Sequence, residues 1–265
     1  MSATVAGVAY RAMGQQIDVD VTVTAFYDTL RRFVELCPGM LTREGAAGTR
    51  LLYTGLPVST LNTVAVGIDP DPAEVDAFAK EMSAMGVPWS MQTRGEPEAG
   101  VRDVAARHGR TNASTLPLLA ADISQPPLSE VPAGATVREI TAQDGAVYAA
   151  VLAEGFEMPP EMADVFAEPA LLDAPDCTAF VLEVNGEAVA AGFNVVTGEH
   201  VALYNGTVPA RHRRHGYYRA LVAARLRHAV AAGARYGITQ NSTMSRPLYE
   251  ATGFHLVEDW TYLSG

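Results

Sequence analysis

One order of elements occurs twice in this chain, and it restricts the fold more than any other feature. Late in the first half, strand, helix, strand, helix and strand are expected at residues 61–67, 72–85, 88–92, 98–108 and 116–122. Late in the second half the same order is expected at 201–207, 217–232, 238–241, 244–251 and in a final strand opened by Gly253 and Phe254 and running through Tyr262. Alternation of this kind requires a sheet covered by helices, a mixed α/β (α+β) architecture. The segment Asp103-Val-Ala-Ala-Arg-His-Gly109 precedes a strand just as Pro247-Leu-Tyr-Glu-Ala-Thr-Gly253 does. A diverged internal duplication would produce this pattern, and so would two unrelated α/β domains.

The remaining elements follow from local signals. Phe26, Leu30 and Phe33 fall at helical spacing, so residues 25–36 form an amphipathic helix, followed by a strand at 51–54. Asp69 or Asp71 caps the helix that begins at Pro72. The stretch 124–134, Ser-Gln-Pro-Pro-Leu-Ser-Glu-Val-Pro-Ala-Gly, reads as a linker. It divides the chain into 1–125, a linker at 126–134, and 135–265. After it come a strand at 135–140, a helix from the Thr141 cap to about Glu154, and a helix over 160–172. Strands at 178–183 and 188–196 are joined at Asn185-Gly186, a strong hairpin signal.

Composition sets the function classes aside. A net charge of −11 lacks the basic face that a nucleic-acid binder needs. No apolar run approaches the roughly 20 residues that cross a bilayer, and the N-terminal stretch MSATVAGVAYRAMGQQ has no secretion-signal pattern. Cys37 and Cys177 are isolated, so no metal or redox spacing exists and a cytoplasmic setting is expected. His212, His215, His228 and His255 lack a second set of ligands, and no metal site is expected. The charge is unevenly spread, however: six of the 19 basic residues lie between Arg211 and Arg227. One anionic ligand held in one place accounts for such a cluster.

That cluster lies in Thr207-Val-Pro-Ala-Arg-His-Arg-Arg-His-Gly-Tyr-Tyr-Arg-Ala-Leu221, between a strand and a long helix. Unpaired backbone N–H groups converge at a helix start, and the helix dipole favours an anion there. Gly216 lets the anion approach the backbone, and Arg213, Arg214 and Arg219 can add charge-assisted hydrogen bonds.

This stretch resembles the acetyl-CoA signature of the GNAT superfamily of N-acetyltransferases, in which Val-x-Pro ends a strand and Arg/Gln-x-x-Gly-x-Gly/Ala opens a helix. A second stretch, Asn241-Ser-Thr-Met-Ser-Arg-Pro-Leu-Tyr-Glu-Ala-Thr-Gly-Phe254, resembles the family's later motif. The resemblance covers residues 135–262. It implies tandem GNAT-like modules, each a mixed, mostly antiparallel sheet flanked by helices, with the catalytic one at 135–265. It also implies that backbone groups from His215 through Gly216, Tyr217 and Tyr218 to Arg219 hold a pyrophosphate, beside Arg213 and Arg214. Thr207 and Val208 would pair with the pantetheine arm, Asn241 would bond to it, and Ser245 would join the cofactor site. Tyr249 would protonate the departing thiolate. The base has no motif: Glu157 is the first choice, and Glu154, Glu161, Glu199 and His200 are further candidates. Residues 155–160 would wall the acceptor site.

Two departures stand out. The spacing from Pro209 to Gly216 is one residue longer than usual, and Tyr218 replaces a Gly or Ala. The first half carries Gly67-Ile-Asp-Pro-Asp-Pro-Ala73 in the corresponding place, with two aspartates and no arginine, so it would repel a pyrophosphate. The implied activity is acetyl transfer from acetyl-CoA to a small-molecule amine, by a monomer or homodimer. Use of another acyl donor, or acyl-CoA binding without turnover, stays open.

Overall fold

The computed structural model describes residues 17–242 and 244–265. The stretch on which the secretion-signal reading rests, residues 1–16, lies outside them, as does Thr243. In the first half the elements are α1 (Val19–Leu36), β1 (Leu41–Glu44), β2 (Arg50–Tyr53), β3 (Thr63–Ala65), α2 (Pro72–Ala84), β4 (Ser90–Arg94), α3 (Ala99–Arg107) and β5 (Asn112–Asp122). In the second half they are β6 (Ala135–Ile140), α4 (Gly145–Phe156), α5 (Pro160–Asp164), α6 (Pro169–Leu172), β7 (Cys177–Val184), β8 (Glu187–Thr197), β9 (His200–Thr207), α7 (Tyr217–Ala231), β10 (Tyr236–Gln240), α8 (Arg246–Ala251) and β11 (His255–Ser264).

The local chemistry explains most boundaries. Asp18 accepts the Val21 N–H and starts α1 six residues before the expected position, because its side chain caps where the apolar spacing alone gave no signal. Asp71 accepts the Ala73 N–H, and Pro72 supplies a preset first turn for α2. The helix expected over 160–172 is broken instead. Pro169 cannot continue it, so α5, a short 3-10 turn at Val165–Ala167 and α6 take its place. Asp144 does not cap with Thr141; its carboxylate takes both terminal nitrogens of Arg138 at 3.0 and 3.1 Å. The hairpin between β7 and β8 turns at Asn185 and Gly186, both at positive φ.

All eleven strands form one sheet in the order β1-β2-β3-β4-β11-β5-β10-β9-β8-β7-β6. Among the described strands only β3–β4 and β9–β10 pair in parallel; every other strand pair is antiparallel. The twice-read order therefore has a geometric counterpart. β3-α2-β4-α3-β5 and β9-α7-β10-α8-β11 each begin with a parallel pair and end with a strand that crosses into the other half. The last strand of each half lies beside the other half's parallel pair, and β5 and β11 pair with each other from Asn112↔Ser264 to Ala120↔His255.

Helices α1 and α4–α6 cover one face of this sheet, against Ala202, Ile238 and Tyr262 in the centre and Val181 and Phe193 further out. Helices α2, α3, α7 and α8 cover the other, against Met91, Leu119, Val201 and Leu203. No helix among the described residues is long and apolar enough to cross a membrane.

Candidate functional site

The parallel pair β9–β10 is in register only from His200↔Tyr236 to Ala202↔Ile238. Beyond that point the strands part and leave a wedge between Leu203–Thr207 and the end of β10. A bulge bends β9. On its other side Phe193 pairs with Tyr204 and Ala191 with Thr207, so Asn205 and Gly206 together stand opposite Gly192. Asn205 takes a left-handed conformation, φ 52°, to make the bend.

Arg225 fills the gap that the bulge opens in the ladder. It comes from α7 and is fully buried. One terminal nitrogen donates to the carbonyls of both Phe193 and Tyr204, the latter at 2.9 Å. Its Nε donates to Asn194 Oδ1 at 2.9 Å, and Asn194 returns a bond to the Arg225 carbonyl. The side chain passes directly over Gly192, where a Cβ would stand 2.5 Å from Nη1. Sequence reasoning missed Arg225, yet a signal existed: it falls three residues after Val222 and four before Ala229, on the buried stripe of α7.

At the mouth of the wedge the chain passes from β9 through Val208 and Pro209 to α7. Arg214 and Gly216 are both left-handed, φ 70° and 80°, and no side chain caps the helix. The first-turn N–H groups of Tyr217, Tyr218 and Arg219 thus head an uncapped helix beside exposed Arg214 and Arg219. Arg213 does not join them. Its Nε bonds the Val208 carbonyl at 3.0 Å and a terminal nitrogen reaches Gly155 O at 3.4 Å, bracing the end of β9. His215 stacks on Tyr217 at 5.3 Å. Arg211 binds Glu154 through two nitrogens, at 2.7 and 3.0 Å, and Glu187 at 2.8 Å.

Deeper in, Tyr249 of α8 is buried, and its hydroxyl lies 3.0 Å from that of Tyr218. The rings meet edge to face, and Phe254 backs Tyr249 in the same manner. Tyr218 lies against β9 where Gly206 leaves room; a Cβ there would overlap its hydroxyl. Burial, and next the neighbouring Tyr249, raise the Tyr218 phenol well above its ordinary pKa. Asn241 is buried at the end of β10 and accepts the Thr239 hydroxyl at 2.7 Å. Ser245 Oγ lies 3.4 Å from the Ser242 carbonyl, and its own carbonyl accepts the Tyr249 N–H.

Half of the buried polar side-chain atoms without a hydrogen-bond partner among the described residues lie around this wedge: Tyr148 OH, Asn205 Nδ2, Arg225 Nη1, Gln240 Nε2 and Asn241 Nδ2. Tyr148, on α4, faces Asn205, and burial raises its pKa. Polar groups left in this state fit a site that receives a polar ligand.

The base candidates separate. Gly155 packs on Thr207, so α4 ends at the mouth of the wedge, and Glu157 closes it there in a left-handed, exposed position. Glu154 is held by Arg211, which lowers its pKa. Glu161 is exposed on α5. Glu199 and His200 are corrected as candidates: they lie at the opposite end of β9 from Thr207, roughly 20 Å away at the rise of a strand.

In the first half the equivalent helix start is already capped, although a cavity of about 420 Å³ lies beside it, lined by Arg50, Gly67, Asp69 and Arg94. The connection from β3 to α2 is short. Asp71 caps α2, and the Glu74 carboxylate accepts the N–H groups of Ala47 and Thr49 from the β1–β2 turn. That turn lies on Gly67, whose Cβ position is 2.6 Å from Ala47 O. Among the described residues no group of His, Cys, Asp and Glu could hold a metal ion.

Comparison with known proteins agrees with this geometry. Residues 148–254 match the family model described as acetyltransferase (GNAT) family. No curated protein matches the chain. A GCN5-related N-acetyltransferase from Kribbella flavida superposes with a TM-score of 0.67 at 22% identity, over 96% of each chain. A tandem GNAT protein from the clavulanic acid biosynthesis pathway gives 0.59 at 14% identity, over 93% of this chain and 95% of its own. A conserved protein of unknown function from Staphylococcus epidermidis gives 0.62 at 10% identity, over 88% and 96%. At these identities the likeness is one of fold.

Proposed function

Residues 148–254 are a GNAT acetyltransferase domain, of a family that takes an acyl group from acyl-CoA, and from that premise we propose an N-acetyltransferase acting on the amine of a small molecule. Acetyl-CoA is the proposed donor. The observation that carries the reading is the β9–β10 wedge, lined by orphaned buried polar atoms and leading to the uncapped, cationic start of α7. Both features suit a long polar thioester ending in phosphates.

The proposed division of labour follows the geometry. Backbone N–H groups from His215 and Gly216 through Tyr217, Tyr218 and Arg219 hold the pyrophosphate, with Arg214 and Arg219 adding charge. Arg213 acts indirectly by bracing Val208. Thr207, Val208 and Asn241 bind the pantetheine arm, and Ser245 supports Tyr249 through its carbonyl. A neutral amine attacks the thioester carbonyl; the N–C bond forms and the C–S bond breaks. An N–H of the splayed strand bonds the carbonyl oxygen. Tyr249 gives its proton to the sulfur, and Glu157 collects the amine proton through water.

The catalytic unit is 135–265, joined through 126–134 to a first module, 1–125, that supplies β5 and has no CoA site of its own. A small cationic amine suits the acidic protein. Nucleic acid and membrane are not proposed as partners, and the working form is a monomer or homodimer. Two buried free thiols fit a cytoplasmic setting.

Calorimetric titration with acetyl-CoA tests the reading, in wild type and in Gly216→Glu. Micromolar binding that disappears in the variant supports it and directs an amine screen for CoA release. No binding to the folded wild type removes it. One observation favours a second reading, an acyl-CoA-binding module without turnover: Tyr218 occupies a small-residue position against Gly206. Under that reading wild type binds acetyl-CoA, but no amine releases thiol.

A further inference from the structure

Arg225 is the one fully buried charged side chain among the described residues, and its bonds run to Asn194, Phe193 and Tyr204 rather than to a carboxylate. A guanidinium removed from water without a counter-ion is costly. The usual compensation, an ion pair, is replaced by carbonyl oxygens at a single place in the sheet, the β9 bulge. Gly192 is needed for the side chain to reach that place.

The orientation of one peptide unit gives this arrangement a chemical meaning. The Tyr204 carbonyl points toward β8, because it shares the Arg225 nitrogen with Phe193 of that strand. In a trans peptide the carbonyl and the following N–H point in opposite directions. The Asn205 N–H is therefore directed away from β8, into the wedge, where no residue of β10 is in register with it. A positive charge bonded to the oxygen of a peptide draws electrons from its nitrogen and strengthens the N–H as a donor.

We propose that Arg225 is a positioning residue that aims and polarises the Asn205 N–H toward the thioester carbonyl of the bound acyl-CoA. This inference rests on the acyl-transfer reading of the wedge. Arg225 does not touch the substrate. It fixes the bulge that turns the donor outward, and its charge lies behind that donor in a site shielded from water, where such an effect is large. The orphaned Nη1 and the nearby Tyr148 keep the surroundings polar without neutralising the charge.

The test uses the whole protein with acetyl-CoA isotopically labelled at the thioester carbonyl. Infrared difference spectroscopy reads the carbonyl stretch, and calorimetry reads affinity. Wild type should shift the stretch to lower frequency. Arg225→Met should lose most of that shift while its Kd changes by less than about threefold, and Arg225→Lys should recover part of it. A folded Arg225→Met with an unchanged carbonyl shift overturns the proposal. If that variant does not fold, the Asn205 amide proton resonance of wild type decides. Movement downfield with acetyl-CoA but not with CoA supports the assignment, and identical positions in both overturn it. Binding without any carbonyl shift in wild type overturns this proposal alone; no binding in wild type overturns the acyl-transfer reading as well.

Discussion

The hydroxyl of Tyr218 is 3.0 Å from the hydroxyl of Tyr249, so the two phenols share one hydrogen bond. Tyr218 stands where the resembled motif has a small residue, and Tyr249 is the proposed acid. Burial and the Tyr249 neighbour keep the Tyr218 phenol protonated well beyond its ordinary pKa.

Removal of the Tyr249 hydroxyl should therefore separate chemistry from binding. Tyr249→Phe is expected to slow CoA release about 100-fold or more, the low end of general acid catalysis, with acetyl-CoA affinity nearly intact. Tyr218→Phe removes a partner but not the acid, so a loss of only a few fold is expected. The alkaline limb of the rate profile should not move in Tyr218→Phe, since Tyr218 stays protonated across the working range. Steady-state thiol release from pH 6 to 10 checks all three expectations, once an acceptor is in hand. Equal losses in both variants would contradict the assignment.

Gly192 is expected to tolerate no side chain. Its Cβ would fall 2.5 Å from Nη1 and 2.8 Å from Cζ of Arg225, a buried and bonded side chain with no room to retreat. Gly192→Ala should cost about 1–3 kcal/mol through overpacking, read from the midpoint of urea unfolding. A variant as stable as wild type would show that Arg225 yields easily.

The Arg32–Asp176 pair ties α1 to the start of β7 through two bonds of 2.6 and 2.9 Å. Bonding from Arg32 holds the Asp176 carboxyl below its ordinary pKa, against a smaller opposing effect of burial. A depressed carboxyl pKa stabilises the fold above the unfolded value and loses that contribution as pH falls through the folded one. Both side chains are about one-third exposed, so screening limits the pair to about 1 kcal/mol. Asp176→Asn should be less stable than wild type by that amount at pH 7, and the gap should close as pH is lowered from about 4 toward 2. Chemical denaturation at both ends of this range gives the comparison.

Cys37 and Cys177, one from each half, share a buried core. Burial pushes both thiols up to about 12. At pH 8 only about one in ten thousand would be ionised, so disulfide reagents should react orders of magnitude more slowly with the folded protein than in denaturant. Rapid labelling of the native protein would contradict this burial.

The legible parts of the fold were those governed by neighbours in sequence. Asn185-Gly186 gave the hairpin, Pro72 gave the start of α2, and Gly216 gave the start of α7. The short strand β1 was missed because Leu41–Glu44 alternates too briefly to register, and it forms only through its partner β2. Within the site, Gly216 and Tyr249 are pointed to by the resemblance of their motifs, but no motif carries the direction of Arg213, which depends on Val208 and Gly155 being near in space. Arg225 looked like one more cation in a basic stretch. Only its place on an apolar stripe distinguishes it, and only the bulge explains it.

The crossing of β5 and β11 bears on how the molecule is made. During synthesis the first half emerges with β4 as an open edge, because its neighbour in the sheet, β11, comes from far later in the chain. Until then a strand edge and the apolar side chains of β5 stay exposed, a state prone to wrong pairing. The final ten-residue strand thus acts as a fastening for the whole chain. A stop codon that removes β11 would unmake the folded first half as surely as the second.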